Sequence, residues 1–244
     1  MHKSVSIMRC HEVYLLISMP MHRAINKNFF KKWTSEMAYI VGFFAADGYM
    51  SFNKRGAHFW NIQITDRDIL EGIKKAVQSE HKISVRNRRK TNEQTMYRLQ
   101  IGSKEMCNDL LKLGFTPNKT KSLTVPHVPR KYFAHFVRGY FDGDGNVWLG
   151  YVHKDRKSRL FTIRTVFTSC SYEFLDAIRE QLESFNIHKG VLSKGKGNYY
   201  RLTYSVNNSL KLGDFMYNHK IPVPEGLFLE KKRKRFREFV KLRS

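Results

Sequence analysis

The chain has 244 residues, enough for one large domain or two small ones, each with its own core. It contains 44 Lys and Arg against 21 Asp and Glu, for a formal net charge of +23, and 14% of its residues are aromatic. The positive charge is spread over the whole sequence. This composition predicts a folded protein that binds a polyanion and argues against an unfolded basic tail.

Three scattered cysteines, Cys10, Cys107 and Cys170, form neither a disulfide framework nor a zinc-binding pair. This usage predicts a reducing, intracellular setting, either a bacterial cytoplasm or an organelle matrix. The apolar residues 13–19 are too short to span a bilayer, so no membrane partner is expected. Residues 1–28 lack the patterns found later and are predicted to be an N-terminal extension, whose order the sequence leaves open.

The first of two similar segments covers residues 40–48, with the sequence IVGFFAADG. Apolar residues followed by Asp47 and Gly48 are typical of a buried helix and its end. Gly42 and Ala46 are four residues apart, so they share a helix face that a second backbone can approach closely. Taken alone, this segment predicts only a buried helix.

Alternating residues replace the helical spacing after this segment. Residues 49–52 and 59–65 are predicted to form a hairpin, with Trp60, Ile62 and Ile64 on its apolar face. A helix with Asp66 or Asp68 as its N-cap follows. A second hairpin is predicted at 83–88 and 97–101, and a Lys-rich helix at 104–113.

The same order returns after residues 126–130, where two prolines interrupt regular structure. A helix is predicted at 132–143, in which Gly139 and Gly143 repeat the four-residue spacing. Hairpins at 147–152 with 160–168 and at 190–193 with 199–206 flank a helix at 172–185, and a Lys-rich helix covers 226–242. Asp144 follows Asp47 by 97 residues, the difference between 144 and 47, which indicates a duplicated unit.

This order predicts an α+β fold of two pseudo-symmetric αββαββα units, residues 29–126 and 127–244, in which helices cover one face of each antiparallel sheet. The small-residue faces would pack the two motif helices together at the centre. Asp47 and Asp144 would then meet at adjacent helix C-termini, where both the helix dipoles and their mutual repulsion oppose two carboxylates. A divalent cation would relieve both penalties and would support attack on a phosphodiester.

The two segments resemble the paired motifs of a single-chain LAGLIDADG homing endonuclease, and the resemblance extends over about residues 33–240. It implies a fold whose sheets form a saddle in the DNA major groove. It also implies that Asp47 and Asp144 are the metal-binding catalytic acids. The backbone carbonyls of Ala46 and Gly143 are candidate additional ligands.

Two further segments resemble the family at fixed places, PNKTKSL at 117–123 and LEKK at 229–232. The resemblance implies that Lys119 and Lys232 are the basic residues near the two metal sites, with Lys121 and Lys231 as alternatives. A lysine there could stabilise the phosphorane charge or polarise the attacking water. A charged run at 231–237 is also explained as a solvated or phosphate-contacting helix face.

Other positions match or depart from the family pattern. Asp66 and Ser169 match polar positions that touch metal-bound water, although Asp66 is equally well explained as a helix N-cap. Ala45 replaces the aspartate that is usual at its motif position, which is not a metal ligand in the family. Asp142, the equivalent residue of the second motif, is expected to face the helix interface or solvent and is not counted as a ligand.

The outward faces of both predicted sheets carry residue types that hydrogen-bond base edges and phosphates, and almost no acids. Any single position is also explained as a solvated strand residue, but the face as a whole is less easily explained in this way. The predicted DNA-binding residues are Ser51, Asn61, Gln63, Arg86, Arg88, Arg98 and Gln100 in the first sheet, and Arg164, Arg201 and Thr203 in the second, with Lys194 at a hairpin tip.

We therefore predict a monomeric, site-specific, double-strand DNA endonuclease that cleaves a long asymmetric target. We expect it to use Mg²⁺ or Mn²⁺, with Ca²⁺ as a non-cleaving substitute, and to be intron-encoded. The resemblance implies short 3′ overhangs.

Some alternative functions use the same scaffold, and others do not. One is an RNA maturase that binds its own intron RNA, and another is a non-cleaving DNA-binding regulator, which would be expected to have lost an acid. An intein would need a nucleophilic first residue and a terminal His-Asn pair, whereas this chain begins Met1-His2 and ends Leu242-Arg243-Ser244. A basic structural protein would show no metal dependence.

Overall fold

The computed structural model describes residues 23–86, 94–118, 122–152, 159–218 and 221–243. After a short 3₁₀ turn at Phe29–Lys31, the first unit contains helix α1 (Ser35–Asp47), strands β1 (Gly48–Phe52) and β2 (His58–Ile64), helix α2 (Arg67–Ala76), strands β3 (Ile83–Arg86) and β4 (Met96–Gly102), and helix α3 (Lys104–Lys112). The predicted αββαββα order is confirmed. Helix α1 begins where the hydroxyl of Thr34 accepts a hydrogen bond from the N–H of Met37 at 3.1 Å.

The second unit follows a 3₁₀ turn at Arg130–Tyr132. It contains helix α4 (Phe133–Asp144), strands β5 (Gly145–Val152) and β6 (Leu160–Ser169), helix α5 (Tyr172–Glu183), strands β7 (Val191–Lys194) and β8 (Tyr200–Tyr204), and helices α6 (Val206–Tyr217) and α7 (Glu230–Arg243). Among the described residues, no helix is both long enough and apolar enough to cross a membrane.

Helix α6 differs from the prediction. The sequence predicts a strand to residue 206 and one terminal helix, but the chain leaves β8 at Tyr204 and forms α6 immediately. Helix α6 packs on β6 as α3 packs on β2, so α7 is an addition to the repeated unit. The segment has weak helical propensity because it contains two asparagines and a glycine. Burial of Leu212, Met216 and Tyr217 stabilises it.

Both sheets are antiparallel, with the strand orders β1-β2-β4-β3 and β5-β6-β8-β7. One face of each sheet packs against helices and forms the core. This face carries Met50, Trp60, Ile62, Leu99 and Ile101 in the first sheet and Val147, Ile163, Phe167, Leu202 and Tyr204 in the second, all of them buried. The opposite face of each sheet is called the outer face below.

Helices α1 and α4 pack against each other at the centre of the molecule. A methyl group at Gly42 or at Gly139 would overlap a backbone carbonyl oxygen of the facing helix. A methyl group at Gly143 would overlap the side chain of Ala46. The predicted small-residue positions therefore lie in the interface, where the two backbones are in direct contact.

Candidate active site at the junction of the two motif helices

Each motif helix ends at its acid, and the following strand begins at once. Asp47 and Asp144 are the last residues of α1 and α4, and Gly48 and Gly145 begin β1 and β5. Both glycines have extended backbone angles, with φ of −87° and −93°, so neither forms the left-handed helix cap that an Asp-Gly pair suggests. A side chain at either glycine would instead overlap an aromatic ring one turn earlier. Close packing therefore requires glycine at both positions.

The two acids meet where α1 and α4 end. Oδ2 of Asp47 lies 3.1 Å from the position that a Cβ on Gly143 would take, so this carboxylate lies against the last turn of α4. Burial raises the pKa of Tyr140, and the negative charges of Asp144 and Asp47 raise it further. One buried phenol therefore senses both carboxylates. Asp47 is partly exposed and Asp144 is exposed, so both remain accessible.

This junction can supply oxygen ligands to a hard cation. In the described parts of the chain, no group of three His, Cys, Asp or Glu is clustered for metal binding. A divalent ion would therefore depend on Asp47 and Asp144, with further oxygens from the backbone of Ala46 or Gly143, from water or from a phosphate. Such oxygen donors suit Mg²⁺, Mn²⁺ and Ca²⁺. The two carboxylates at helix C-termini supply the negative charge that such an ion needs.

Lys232 lies behind the Asp144 side of the junction. Its Nζ donates hydrogen bonds to the carbonyl oxygens of Phe141 at 2.6 Å and Asp142 at 2.8 Å, and approaches that of Gly143 at 3.5 Å. It therefore occupies the C-terminal end of α4, where a cation is favoured. Burial lowers the pKa of Lys232 to about 8, and three nearby carboxylates oppose that shift. The structure thus brings this predicted lysine to the acids.

The alternative lysine, Lys231, has a different partner. Its Nζ lies 3.8 Å from Oδ2 of Asp66, and its side chain is 59% exposed. Asp66 occupies the N-cap position of α2, but its side chain accepts no hydrogen bond from the helix N–H groups. Lys231 and Asp66 are thus paired with each other. Ser169, the other polar position predicted near the metal-bound water, is buried and accepts a hydrogen bond from the N–H of Ser171 at 3.1 Å.

Asp142 is buried in the helix interface and accepts three hydrogen bonds. The donors are the hydroxyls of Tyr39 at 2.9 Å and Tyr217 at 3.0 Å and the N–H of Leu229 at 2.9 Å. Burial raises the pKa of Asp142, while the ammonium of Lys232 opposes that rise. The carboxylate joins α4 to α1, to α6 and to the segment before α7. Of the two expected surroundings, the helix interface and solvent, the structure shows the interface.

Arg138 is a second buried polar residue of α4, and the sequence analysis missed it. Its guanidinium donates to the carbonyl oxygens of Met216 at 3.0 Å and Leu227 at 3.2 Å. It lies 2.8 Å from Nδ1 of His135 and 5.0 Å from the ring centroid of Tyr39. An arginine in the middle of an apolar helix is a signal that could have indicated it, since buried charges need partners.

The outer faces of the sheets carry basic and amide groups. None of the eight described strands contains Asp or Glu. The strand registers place most of the predicted contact residues on these faces, namely Ser51, Gln63, Arg86, Arg98, Gln100, Arg164, Arg201 and Thr203. Such a surface suits a polyanion.

One predicted contact residue is corrected by the structure. Asn61 lies on the outer face but is completely buried, because β2 is flanked by the side chains of β1 and β4, and its amide donates to Oγ of Ser51 at 3.3 Å. Lys194 is exposed at the end of β7, next to the hairpin turn where it was predicted. It pairs with Tyr200, so it lies on the helix-facing side of the strand, and Ser193 shares the outer face with Arg201. Three further predicted residues, Arg88, Lys119 and Lys121, lie outside the described residues.

The structure is that of a two-repeat α+β protein with one acid from each repeat at the junction of two packed helices. The sequence pattern of the LAGLIDADG-like domain matches residues 34–120 and 132–214. Each matched segment contains one motif helix and one sheet. The chain therefore belongs to the LAGLIDADG family, in its two-motif form.

Solved structures of single-chain LAGLIDADG meganucleases share this fold. The meganuclease I-AabMI, bound to uncleaved DNA, is 16% identical, with a TM-score of 0.56 over 84% of this chain and 88% of that chain. I-SmaMI bound to cleaved DNA is 14% identical, with a TM-score of 0.55 over 86% of this chain and 89% of that chain. I-SmaMI bound to its uncleaved target with calcium ions is 13% identical, with a TM-score of 0.55 over 86% and 90%.

A curated relative is similar over a shorter stretch. The probable translation initiation factor IF-2 of Thermococcus kodakarensis is 37% identical over an alignment of 99 residues, which covers 38% of this chain and 7% of that factor. The similarity covers a small part of a much longer protein, so the activity of the factor is not carried over.

Proposed function

We propose that this chain is a homing endonuclease that cleaves both strands of a long asymmetric DNA target. The observation that carries the proposal is the junction of α1 and α4, where Asp47 lies against the last turn of the helix that ends in Asp144. The outer faces begin beside these acids, and the absence of Asp and Glu from the described strands supports the proposal. So do the DNA complexes of I-AabMI and I-SmaMI. Because one chain supplies both acids, we propose that it acts as a monomer.

In this proposal Asp47 and Asp144 hold divalent ions, and the calcium complex of I-SmaMI supports a divalent requirement. A bound Mg²⁺ or Mn²⁺ supplies Lewis acidity at the phosphate and lowers the pKa of a water. Lys232 fixes the last turn of α4 through its hydrogen bonds and places a positive charge near the developing negative charge. Arginines of the outer faces bind phosphates and base edges.

Two isosteric variants, Asp47→Asn and Asp144→Asn, test the assignment. Each would be incubated in Mg²⁺ with a duplex that carries the target, taken from the sequence that flanks the gene, and both strands would be followed on a denaturing gel. We expect both variants to bind the duplex and to lose cleavage, because the amide keeps the shape of the side chain but removes the negative charge that balances the cation. The matched control Asp109→Asn, in α3, should cut as the unmodified protein does. Undiminished cutting by either junction variant would overturn the assignment of that acid.

An RNA maturase is the second candidate, and α7 favours it. This helix packs through Phe236 and Phe239, while Lys234, Arg237 and Lys241 are exposed, so its positive surface is separate from the outer faces. The chain's own intron RNA is the expected ligand. Dissociation constants for the target duplex and the intron RNA, measured at one salt concentration, separate the candidates. Tighter RNA binding without DNA cleavage would favour the maturase. Both acids are present, which disfavours a non-cleaving regulator.

A further inference from the structure

The two outer faces differ along a pair of equivalent rows of cross-strand neighbours. Each row begins two residues after the acid, at Tyr49 in the first sheet and at Asn146 in the second. In the first sheet the row continues through Asn61 and Gln100. In the second sheet it continues through Val166, Thr203 and Val191, which are called the methyl row below. At the first position Tyr49 corresponds to Asn146. At the next two positions the amides of Asn61 and Gln100 correspond to the methyl groups of Val166 and Thr203.

The methyl row lies in an exposed apolar part of the second outer face. Val191 is 63% exposed, and the same face carries Leu160, 57% exposed, and Trp148, 38% exposed. Val166 and Thr203 are half-buried. Exposed apolar groups gathered on one side of a protein mark a contact surface.

Two arginines on either side of the row indicate that the occupant is a nucleic acid. Arg164 precedes Val166 by two residues on β6, and Arg201 precedes Thr203 by two residues on the antiparallel β8, so the two flank the row. Each lies beside an aromatic ring, with 5.8 Å between Arg164 and the Trp148 centroid and 5.1 Å between Arg201 and the Tyr199 centroid. Stacking on a ring holds a guanidinium in place for a phosphate or a base edge.

We infer that the methyl row packs against the C5 methyl groups of thymines, so that the half-site on the second sheet is read largely through thymine. The thymine methyl is the apolar feature that base pairs present in the major groove. On the first sheet Gln63, Arg98 and Gln100 face outward, and amide and guanidinium groups pair with adenine and guanine edges. The two half-sites are therefore read by different chemistry. This inference rests on the proposed DNA-binding function.

The test removes methyl groups from the DNA and from the protein separately. A preferred duplex is first selected from a random library by binding to the full chain, with Ca²⁺ in place of Mg²⁺. It is then synthesised with deoxyuridine in place of thymidine in one half at a time, which removes only the methyl groups. We expect uracil in one half to weaken binding about fourfold for each contacted methyl, and uracil in the other half to change it by less than about twofold.

A matched pair of variants assigns the sensitive half to the second sheet. Thr203→Ser deletes one methyl from the row and keeps the hydroxyl, so it should weaken binding to the thymine duplex and lose the response to uracil at one position. Thr124→Ser makes the same change at an exposed residue outside both sheets and should behave as the unmodified protein does.

The outcomes separate this inference from the proposal on which it rests. A library that yields no preferred duplex would overturn DNA recognition itself. A preferred duplex that tolerates uracil equally in both halves would overturn the methyl row alone, as would an unchanged uracil response in Thr203→Ser. A dimer in sedimentation that Val191→Ser abolishes would show that a second copy covers the row, and would also overturn the inference.

Discussion

Residue 142 near the end of the second motif helix is a buried aspartate, and the equivalent residue of the first motif helix, Ala45, is a buried alanine. Asp142 accepts hydrogen bonds from α1, from α6 and from the segment before α7, whereas Ala45 contributes a methyl group to the packing. The acids at the two helix ends, Asp47 and Asp144, are common to both units. The two aspartates of the second motif therefore have separate roles. Asp144 lies at the helix junction where we propose that a metal ion binds, and Asp142 anchors the C-terminal part of the chain.

Among the variants proposed here, Asp142→Ala is expected to lower the stability of the fold most. It leaves two buried hydroxyls and one N–H without their acceptor and removes a partner of buried cations, so we expect the free energy of unfolding to fall by about 3–5 kcal/mol. Asp142→Asn retains an acceptor oxygen and should lose less. Urea denaturation measures both. The control is Asp109→Ala, which removes a buried acid that forms an ion pair with Lys112 on its own helix, and an equal loss there would contradict the anchoring role.

Two neighbouring lysines of α7 should differ in how much they contribute to the free energy of unfolding. Lys232→Ala removes the donor to carbonyl oxygens at the end of α4, so we expect a loss of about 2 kcal/mol in unfolding free energy. Lys231→Ala removes only an exposed partner of Asp66 and should cost less than about 0.5 kcal/mol. Urea titrations of the two variants measure both losses. Equal losses would contradict a greater contribution of Lys232 to stability.

The pH dependence of stability should report the buried lysine. The pKa of Lys232 is about 8 in the folded chain against its usual 10.5, so between these values the unfolded chain binds more protons. The unfolding free energy of the metal-free protein should therefore rise with pH across this window, relative to Lys232→Met, by at most about 1.4 kcal/mol per pH unit. Below pH 8 the difference between the two proteins should be constant. A difference that falls between pH 8 and 10 would contradict burial of the cation.

The smallest losses of stability are expected from variants at the N-termini of α2 and α5, the helices that follow the first hairpin of each unit. Oγ of Ser171 accepts a hydrogen bond from the N–H of Phe174 at 3.1 Å at the start of α5, whereas Asp66 makes no such bond at the start of α2. We expect Ser171→Ala to cost about 1 kcal/mol and Asp66→Ala less than about 0.5 kcal/mol. Thermal denaturation of both variants is the measurement. A larger loss for Asp66→Ala would restore the N-cap interpretation of that residue.

The sequence predicted most of the fold because its signals are local. The alternation of Trp60, Ile62 and Ile64 predicts a strand from neighbours along the chain, and the Gly42–Ala46 spacing predicts a close helix contact without knowledge of the partner. Duplication added the rest, since two similar helices of one chain are the obvious partners. The placement of Asp47 beside α4 followed from these two observations.

What the sequence did not predict depends on distant residues or on register. Asp142 accepts hydrogen bonds from Tyr217 and Leu229, which lie 75 and 87 residues further along the chain. No spacing rule in the sequence indicates such distant donors. Alternation assigned Asn61 to the correct face but could not show that neighbouring strands cover it. The sequence also left open which side of its strand Lys194 occupies, because that depends on which residue of a short hairpin pairs with Tyr200.

The central helix contact has a consequence for recombination between family members. At Gly42 and Gly139 backbone faces backbone, so this part of the contact depends on small residues and little on which relative supplies each half. Tyr39 is different, because the first half donates its hydroxyl to a carboxylate of the second. A transplanted first half without a donor at that position would leave Asp142 short of a partner. Compatibility between exchanged halves therefore depends on residue 39 more than on the glycines that bring them together.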